Sequence, residues 1–117
     1  MAKALAICRF LGTKFSVRGV GHLQNPGFCS NDGGVVISLG NFTQINVSQD
    51  KSTADIGLGL RWLDVYKGLE PHGVAVAGGR VPPVGVSGLL LGGGLSFQNS
   101  EHGFGCTGVV NYEVVIA

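Results

Sequence analysis

A histidine follows a glycine turn early in the chain, in the run formed by Arg18, Gly19, Val20, Gly21 and His22. Glycine allows close backbone approach to a ligand and tolerates positive φ. Successive free N–H groups in such turns bind anions such as phosphate. The imidazole could therefore either hydrogen-bond its own loop or approach a flat ligand held at the turn. Residue types alone leave both alternatives open.

A second glycine cluster lies in residues 84–97, which read V-G-V-S-G-L-L-L-G-G-G-L-S-F. Its glycines are Gly85, Gly88, Gly92, Gly93 and Gly94. Each glycine inside a regular element costs about 0.5–1 kcal/mol relative to alanine. The cluster therefore indicates either turns with positive φ or a main chain that lies against a ligand, with N–H groups directed at phosphate oxygens.

The short phosphate-binding and nucleophile motifs do not fit these clusters. Neither contains the Gly-Lys-Ser/Thr of a P-loop. The fingerprint G-x-G-x-x-G fails at Gln24, Trp62 and Phe97 when started from the preceding glycine pairs. Ser87 lies in Gly-Val-Ser-Gly and lacks the second glycine of a G-x-S-x-G elbow. A P-loop, a standard dinucleotide fold and a serine nucleophile are therefore disfavoured.

Metal and disulfide chemistry is also poorly supported. The histidines and cysteines are widely separated along the chain: His22, His72, His102, Cys8, Cys29 and Cys106. No histidine has clustered carboxylates at ligand spacing, and three scattered cysteines suit neither a disulfide framework nor a zinc site. We expect no metal, and we expect the cysteines to be buried or free thiols.

Composition limits the class of protein. A chain of 117 residues is one small domain or part of a larger one. Only 13% of its residues are charged, against about 25% in ordinary domains, which indicates a surface meant to be covered.

A net charge of +1 predicts no nucleic-acid partner. The apolar start is interrupted by Arg9 and is too short for a membrane span. No secretory signal follows Met1, and localisation stays open.

Periodicity predicts a mixture of helices and strands. Predicted helices cover residues 2–11, ending at Gly12, and residues 61–69, stopped by Pro71 and Gly73. Predicted strands cover residues 14–18, 35–39, 45–47, 54–56, 74–77 and 109–117. Residues 24–34 read as a loop, and residues 49–52 as the turn of a hairpin. The pattern is that of an α+β domain.

Taken together, residues 14–22, 78–94 and 109–115 resemble the PCMH-type FAD-binding domain of the vanillyl-alcohol-oxidase class. More narrowly, they are similar to berberine-bridge-enzyme-like and hydroxynicotine-oxidase-like FAD-linked oxidases. The likeness covers residues 1–117 in order and implies an α+β fold of mixed sheets, short helices and two glycine-rich cofactor loops. Relatives continue in both directions, so we expect a domain truncated at both ends, with the substrate domain absent.

The resemblance assigns cofactor-contacting residues. They are Arg18, Gly19, Val20, Gly21, His22, Gly79, Val84, Gly85, Ser87, Gly88, Gly92, Gly93 and Gly94. In the family the histidine of the first turn is commonly bonded to the 8α-methyl carbon of FAD, which implies that role for His22. Val81 stands where many relatives have a second, cysteine tether, so at most one covalent link is expected. The catalytic base is not assigned.

The implied function is the FAD-binding part of an oxidoreductase that passes a hydride from a small organic substrate to flavin and then to oxygen. Val20 and Ser87 stand where the family usually has glycine, which predicts weakened binding. The alternative is a non-catalytic remnant that no longer binds flavin and self-associates through open strand edges. Asn41 and Asn46 begin glycosylation sequons, and whether these are used or are solvated surface residues stays open.

Overall fold

Helix α1 (Ala2–Phe10) begins the chain, and the computed structural model describes residues 1–116. Cys8 is its buried residue, whereas Phe10 is 87% exposed. The helix ends where the Leu11 N–H bonds to the Ile7 carbonyl and Gly12 adopts a φ of +59°. The predicted helix and its glycine stop are confirmed. None of the helices within residues 1–116 is long and apolar enough to cross a bilayer.

Strands β1 (Phe15–Arg18) and β2 (Val35–Ser38) form a two-stranded parallel sheet. Phe15 pairs with Val35 and Arg18 with Ser38. Residues 19–34 connect them through turns and bends without a helix, so the predicted loop is confirmed. The first glycine segment, residues 19–22, therefore starts at the carboxyl end of β1.

Strands β3 (Ile45–Val47) and β4 (Ala54–Ile56) form the predicted antiparallel hairpin. Its turn is organised by Asp50, whose carboxylate accepts the Ser48 hydroxyl at 2.7 Å and the Ser52 N–H at 3.1 Å. These hydrogen bonds, that of the Ser48 hydroxyl first, lower the pKa of Asp50 to about 2 because they stabilise the ionised carboxylate. The hairpin packs its apolar side chains on the core.

Helix α2 (Trp62–Leu69) carries most of that core. A 3₁₀ turn (Glu70–His72) and Gly73, with a φ of +67°, end the helix as predicted. The buried apolar residues packed together are Leu60, Trp62, Val65, Leu69 and Val86. Their burial places α2 between the β3–β4 hairpin and the second half of the chain, which fixes the start of the second glycine segment, residues 84–94.

Three features of the second half differ from the prediction. Residues 74–77 form no strand, although Val74 and Val76 do pack on the core. Residues 109–116 form no strand either and are largely exposed, and Ala117 lies outside the described residues. A strand needs a neighbour for its ladder, and no described segment pairs with either one. The second glycine segment contains helix α3 (Val86–Leu91), although its glycines indicated only turns or a main chain lying against a ligand.

The remainder of the chain is short and local. Helix α4 (Asn99–His102) starts beside Ser96, whose N–H donates to the Asn99 amide oxygen at 2.7 Å. A 3₁₀ turn (Gly105–Gly108) follows, and the Gly105 N–H donates to the Gly94 carbonyl at 2.8 Å. The end of the second glycine segment is thereby tied to the segment that follows it.

Candidate functional site

The two glycine segments lie directly against each other. A Cβ placed on Gly85 would lie 2.5 Å from Cγ2 of Val20, and a Cβ placed on Gly19 would overlap Oγ of Ser87. Real Cβ atoms do not make such contacts, so a side chain at position 85 would force the branched Val20 side chain to move, and one at position 19 would force the Ser87 hydroxyl to turn away. Residues separated by more than sixty positions in sequence therefore form one continuous surface.

Helix α2 holds the second glycine segment in place. The backbone N–H of Trp62 donates to the Val84 carbonyl at 3.0 Å, and the backbone N–H of Val86 donates to the Leu60 carbonyl at 3.0 Å. The Arg61 guanidinium donates to the Pro83 carbonyl at 3.2 Å. Val86 is only 1% exposed. These contacts anchor the start of α3 on the core.

The first glycine segment is held mainly through β1. The Arg18 carbonyl accepts the Leu39 N–H at 2.8 Å, which extends the parallel pairing beyond β2. Gly21 has a φ of +71°, and a Cβ there would lie 3.3 Å from Cδ of Arg18. The Arg18 side chain therefore lies along the turn. The side chains of Arg18 and His22 are both exposed.

Eight backbone N–H groups in residues 19–22 and 84–94 have no acceptor within residues 1–116, whether backbone or side chain. They belong to Gly19, Val20, Gly21, His22, Gly85, Ser87, Gly88 and Gly94. Backbone donors are almost always paired, with protein, water or ligand. A group of unpaired donors beside an arginine suits an anion with several oxygens.

The other glycines of the predicted site fall into two groups. Gly79 is buried beneath Trp62 and Leu89, and its carbonyl accepts the Tyr66 hydroxyl at 2.8 Å. Burial raises the pKa of Tyr66 because it disfavours the phenolate. Within residues 1–116, nothing lies within 4 Å of a Cβ placed on Gly88 or Gly93. Packing thus accounts for Gly79, whereas Gly88 faces open space.

The remaining predicted residues lie on the same segment. Val84 is half-buried and its carbonyl accepts the Trp62 N–H. Gly92 ends α3 and is exposed. Gly94 is buried, with a φ of +80°. Since all three are part of residues 84–94, the structure brings the predicted set together on two neighbouring segments and Arg18 beside them, with the exception of the buried Gly79.

Sequence reasoning missed the residues that support this arrangement. Arg61 belongs to no motif, and the sequence placed Trp62 and Tyr66 only within the predicted helix over residues 61–69. Their rings lie 5.9 Å apart, and the indole covers Gly79. The apolar spacing of α2 was the available signal, but it could not show that the indole would cover a glycine distant in sequence.

The three cysteines are dispersed over the fold, and Cys29 lies beside the first glycine segment, with its Cβ 4.0 Å from a Cβ placed on Gly21. The three cysteines are free thiols, and Cys8 is buried, as the sequence predicts. In the part of the chain that the structure describes, no three His, Cys, Asp or Glu side chains lie close enough to hold a metal ion. No polar or charged side chain within residues 1–116 is buried.

The fold and the paired glycine segments define an α+β cofactor-binding domain of the PCMH type. The chain belongs to the FAD binding domain family, whose model matches residues 1–117. Solved structures of berberine-bridge-enzyme-like and vanillyl-alcohol-oxidase-type flavoproteins share its fold. The resemblance and the fold class predicted from the sequence are confirmed.

Similar proteins include flavoenzymes of fungi, bacteria and a moss. FAD-dependent monooxygenase prx3 of Penicillium roqueforti is 49% identical over 100% of this chain and 23% of its own length. The crystal structure of 6-hydroxy-D-nicotine oxidase from Arthrobacter nicotinovorans has a TM-score of 0.81 at 36% identity, covering 91% of this chain and 23% of its own. BBE-like 1 of Physcomitrella patens has a TM-score of 0.77 at 28% identity, covering 88% and 23%. The chain thus spans about 23% of the length of these relatives.

The residues present fit the diphosphate of FAD. Unpaired N–H groups from both segments suit phosphate oxygens, and the Arg18 guanidinium supplies positive charge beside them. Val20 has no positive φ among the described residues, so its β-branched side chain causes no backbone strain at the turn. Its side chain is directed instead at Gly85.

Proposed function

We propose that the two glycine segments bind the diphosphate of FAD, and that the chain is the cofactor-binding part of an oxidoreductase acting on a small organic substrate. The observation that carries the proposal is the contact between residues 19–22 and 84–94, two segments that together carry eight unpaired N–H groups. Family membership supports FAD as the ligand. When bound, FAD would supply hydride-accepting chemistry toward the substrate, with dioxygen as the final oxidant and hydrogen peroxide as its product.

Gly88 offers a direct test of ligand binding. A side chain at this position meets nothing within 4 Å in the described residues, so Gly88→Leu leaves the unfolding free energy unchanged or higher, because leucine is the better helix former. If FAD lies against α3, the same substitution raises the FAD dissociation constant at least about tenfold, equivalent to roughly 1.4 kcal/mol. The readout is quenching of flavin fluorescence on titration.

Gly108→Leu is the matched control for this titration. Gly108 also has nothing within 4 Å of an added Cβ, and it lies outside both glycine segments. The control is expected to bind FAD with wild-type affinity. Equal FAD affinity for the two leucine variants would contradict a cofactor site on α3, and absence of FAD binding by the unsubstituted chain would overturn the proposal.

His22 is proposed as the covalent anchor of the flavin. Its imidazole is exposed directly after Gly21, on the segment that carries four of the unpaired donors. The C–N bond would join an imidazole nitrogen to the 8α-methyl carbon. Bond formation releases two electrons and two protons, which dioxygen finally accepts as peroxide. After acid precipitation, the yellow colour is expected to stay with the wild-type protein and to be lost from His22→Ala. Acid-stable colour in His22→Ala would refute the assignment.

The fate of oxygen is a separate question for the full-length protein. Prx3 is named a monooxygenase, and the nicotine-oxidising relative an oxidase. We propose oxidase chemistry, which yields one hydrogen peroxide per substrate oxidised and no oxygen atom in the product. Incorporation of ¹⁸O from labelled dioxygen into the product would contradict it.

Self-association without flavin is the second candidate function. It is favoured by large apolar side chains that are strongly exposed in this chain, among them Phe10 at 87%, Leu91 at 85% and Phe97 at 83%. Such exposure is typical of surfaces covered by other protein. Size-exclusion chromatography with and without FAD separates the two functions. Compaction or dissociation on adding FAD supports the cofactor role, whereas FAD-independent oligomers support self-association.

A further inference from the structure

The contact between the two glycine segments is reciprocal. Val20 of the first segment lies against Gly85 of the second, with its Cβ, Cγ1 and Cγ2 all within 3.4 Å of the position a Gly85 Cβ would take. Ser87 of the second segment lies against Gly19 of the first. Each segment therefore contributes one side chain and one glycine that receives the side chain of the other.

We propose that Val20 and Ser87 are positioning residues that clasp the two segments together and pre-organise the FAD diphosphate site before the cofactor arrives. The inference rests on the proposed FAD-binding function. It concerns side chains that need not touch the cofactor, because their contacts are with Gly85 and Gly19. The residues thus act on FAD through the backbone donors that they hold in place.

The need for such a clasp follows from how weakly the first segment is otherwise held. Within residues 1–116, none of the N–H groups of residues 19–22 donates to the protein. Gly21 and His22 are exposed, whereas Val20 is half-buried. Segments with few buried contacts and solvated backbone open at low free-energy cost. The Val20 and Ser87 contacts therefore add tertiary restraints to a turn that is otherwise held through its attachment to β1.

Pre-organisation affects ligand affinity by a simple route. Consider a ligand that binds only the ordered form of a mobile loop. Its apparent dissociation constant is the intrinsic value divided by the fraction of molecules in which the loop is ordered. Val20→Ala removes both methyl groups that contact Gly85 while keeping a Cβ. Loss of one to two buried methyl-sized groups corresponds to roughly a tenfold change in the opening equilibrium. The FAD dissociation constant is expected to rise by a similar factor.

The test measures loop opening and FAD binding on the same variants. Backbone ¹⁵N order parameters of residues 19–22 in the cofactor-free chain are compared for wild type, Val20→Ala and Ser87→Ala, followed by FAD titration. Ser87→Ala is informative because alanine favours α3, so lower order parameters in the first segment cannot come from a weakened helix. Val110→Ala, at a valine that is 83% exposed, is the matched control. Val20→Thr, which keeps the branched shape, is expected to behave like wild type.

The outcomes separate this inference from the proposed function. Lower order parameters confined to residues 19–22, with weaker FAD binding in Val20→Ala and Ser87→Ala, support the clasp. Unchanged order parameters in both variants overturn it, as does tighter FAD binding after removal of the Val20 methyl groups, which would mean that Val20 obstructs the site. Lower order parameters in the variants together with a wild-type chain that never binds FAD leave the contact intact and refute its role toward FAD together with the proposed function.

Discussion

Gly85→Ala tests the packing of the two glycine segments most severely. Gly85 has a φ of −76° and a ψ of 148°, a conformation that alanine adopts without strain. Its new methyl carbon would lie 2.5 Å from Cγ2 of Val20, so the loss arises from overlap. Overpacking of this kind costs about 1–3 kcal/mol, and we expect the unfolding free energy to fall by that amount.

Urea denaturation followed by Trp62 fluorescence measures the effect, since Trp62 is buried in the core. Gly88→Ala, also at the start of α3 but with open space around it, is the matched control and is expected to gain about 0.5–1 kcal/mol. Combining Gly85→Ala with Val20→Ala removes the overlapping methyl and recovers most of the loss. Gly85→Ala with unchanged stability, or a double variant no better than Gly85→Ala, would refute the described contact.

Two further predictions concern the core and the hairpin. Leu69→Ala, at a side chain that is 0% exposed, lowers the unfolding free energy in the same urea assay by about 2–5 kcal/mol. Leu91→Ala, at a side chain that is 85% exposed, changes it by less than about 0.5 kcal/mol. Equal losses in the two variants would contradict the described core. Asp50 has a folded-state pKa of about 2, below its ordinary value of 3.8, so its stabilisation of the hairpin is present above about pH 4 and is lost as pH falls toward 2. Carboxyl NMR titration checks this value, and Asp50→Asn removes the dependence; a midpoint near 3.8 would contradict the hydrogen bonds from Ser48 and Ser52.

The first two thirds of the fold could be predicted because local signals and tertiary packing agree there. Helix α1 ends at Gly12, the β3–β4 hairpin surrounds a polar turn, and α2 ends at Pro71 and Gly73. In each case the sequence contains both the apolar period and the stop signal. The structure places these elements where the residues predict them.

The errors occur where an element depends on a partner or on long-range packing. Residues 74–77 and 109–116 have the apolar composition of strands, but a ladder needs a neighbouring strand, and no described segment supplies one. Helix α3 was missed because glycine has low helix propensity. Burial of Val86 and the hydrogen bonds to Leu60 and Trp62 compensate, and neither can be read from local sequence.

The sequence predicts which residues belong to the candidate site, but it does not predict how those residues pack against one another. The glycine spacing indicated two backbone segments suited to an anion, and the resemblance identified FAD. Nothing in the sequence indicated that Val20 would pack on Gly85, or that Gly79 would be covered by an indole ring. Such contacts join residues far apart in the chain, so only the folded structure reveals them.

Amide chemical shifts on addition of FAD test the central claim most directly. In a ¹⁵N–¹H spectrum of the chain, the unpaired N–H groups of residues 19–22 and 87–88 are expected to shift downfield on titration with FAD and with ADP, because phosphate oxygens accept them. Riboflavin, which lacks the diphosphate, is expected to leave them unchanged. FAD binding that leaves these six amides unperturbed, or equal shifts with riboflavin, would contradict a diphosphate site formed by the two glycine segments.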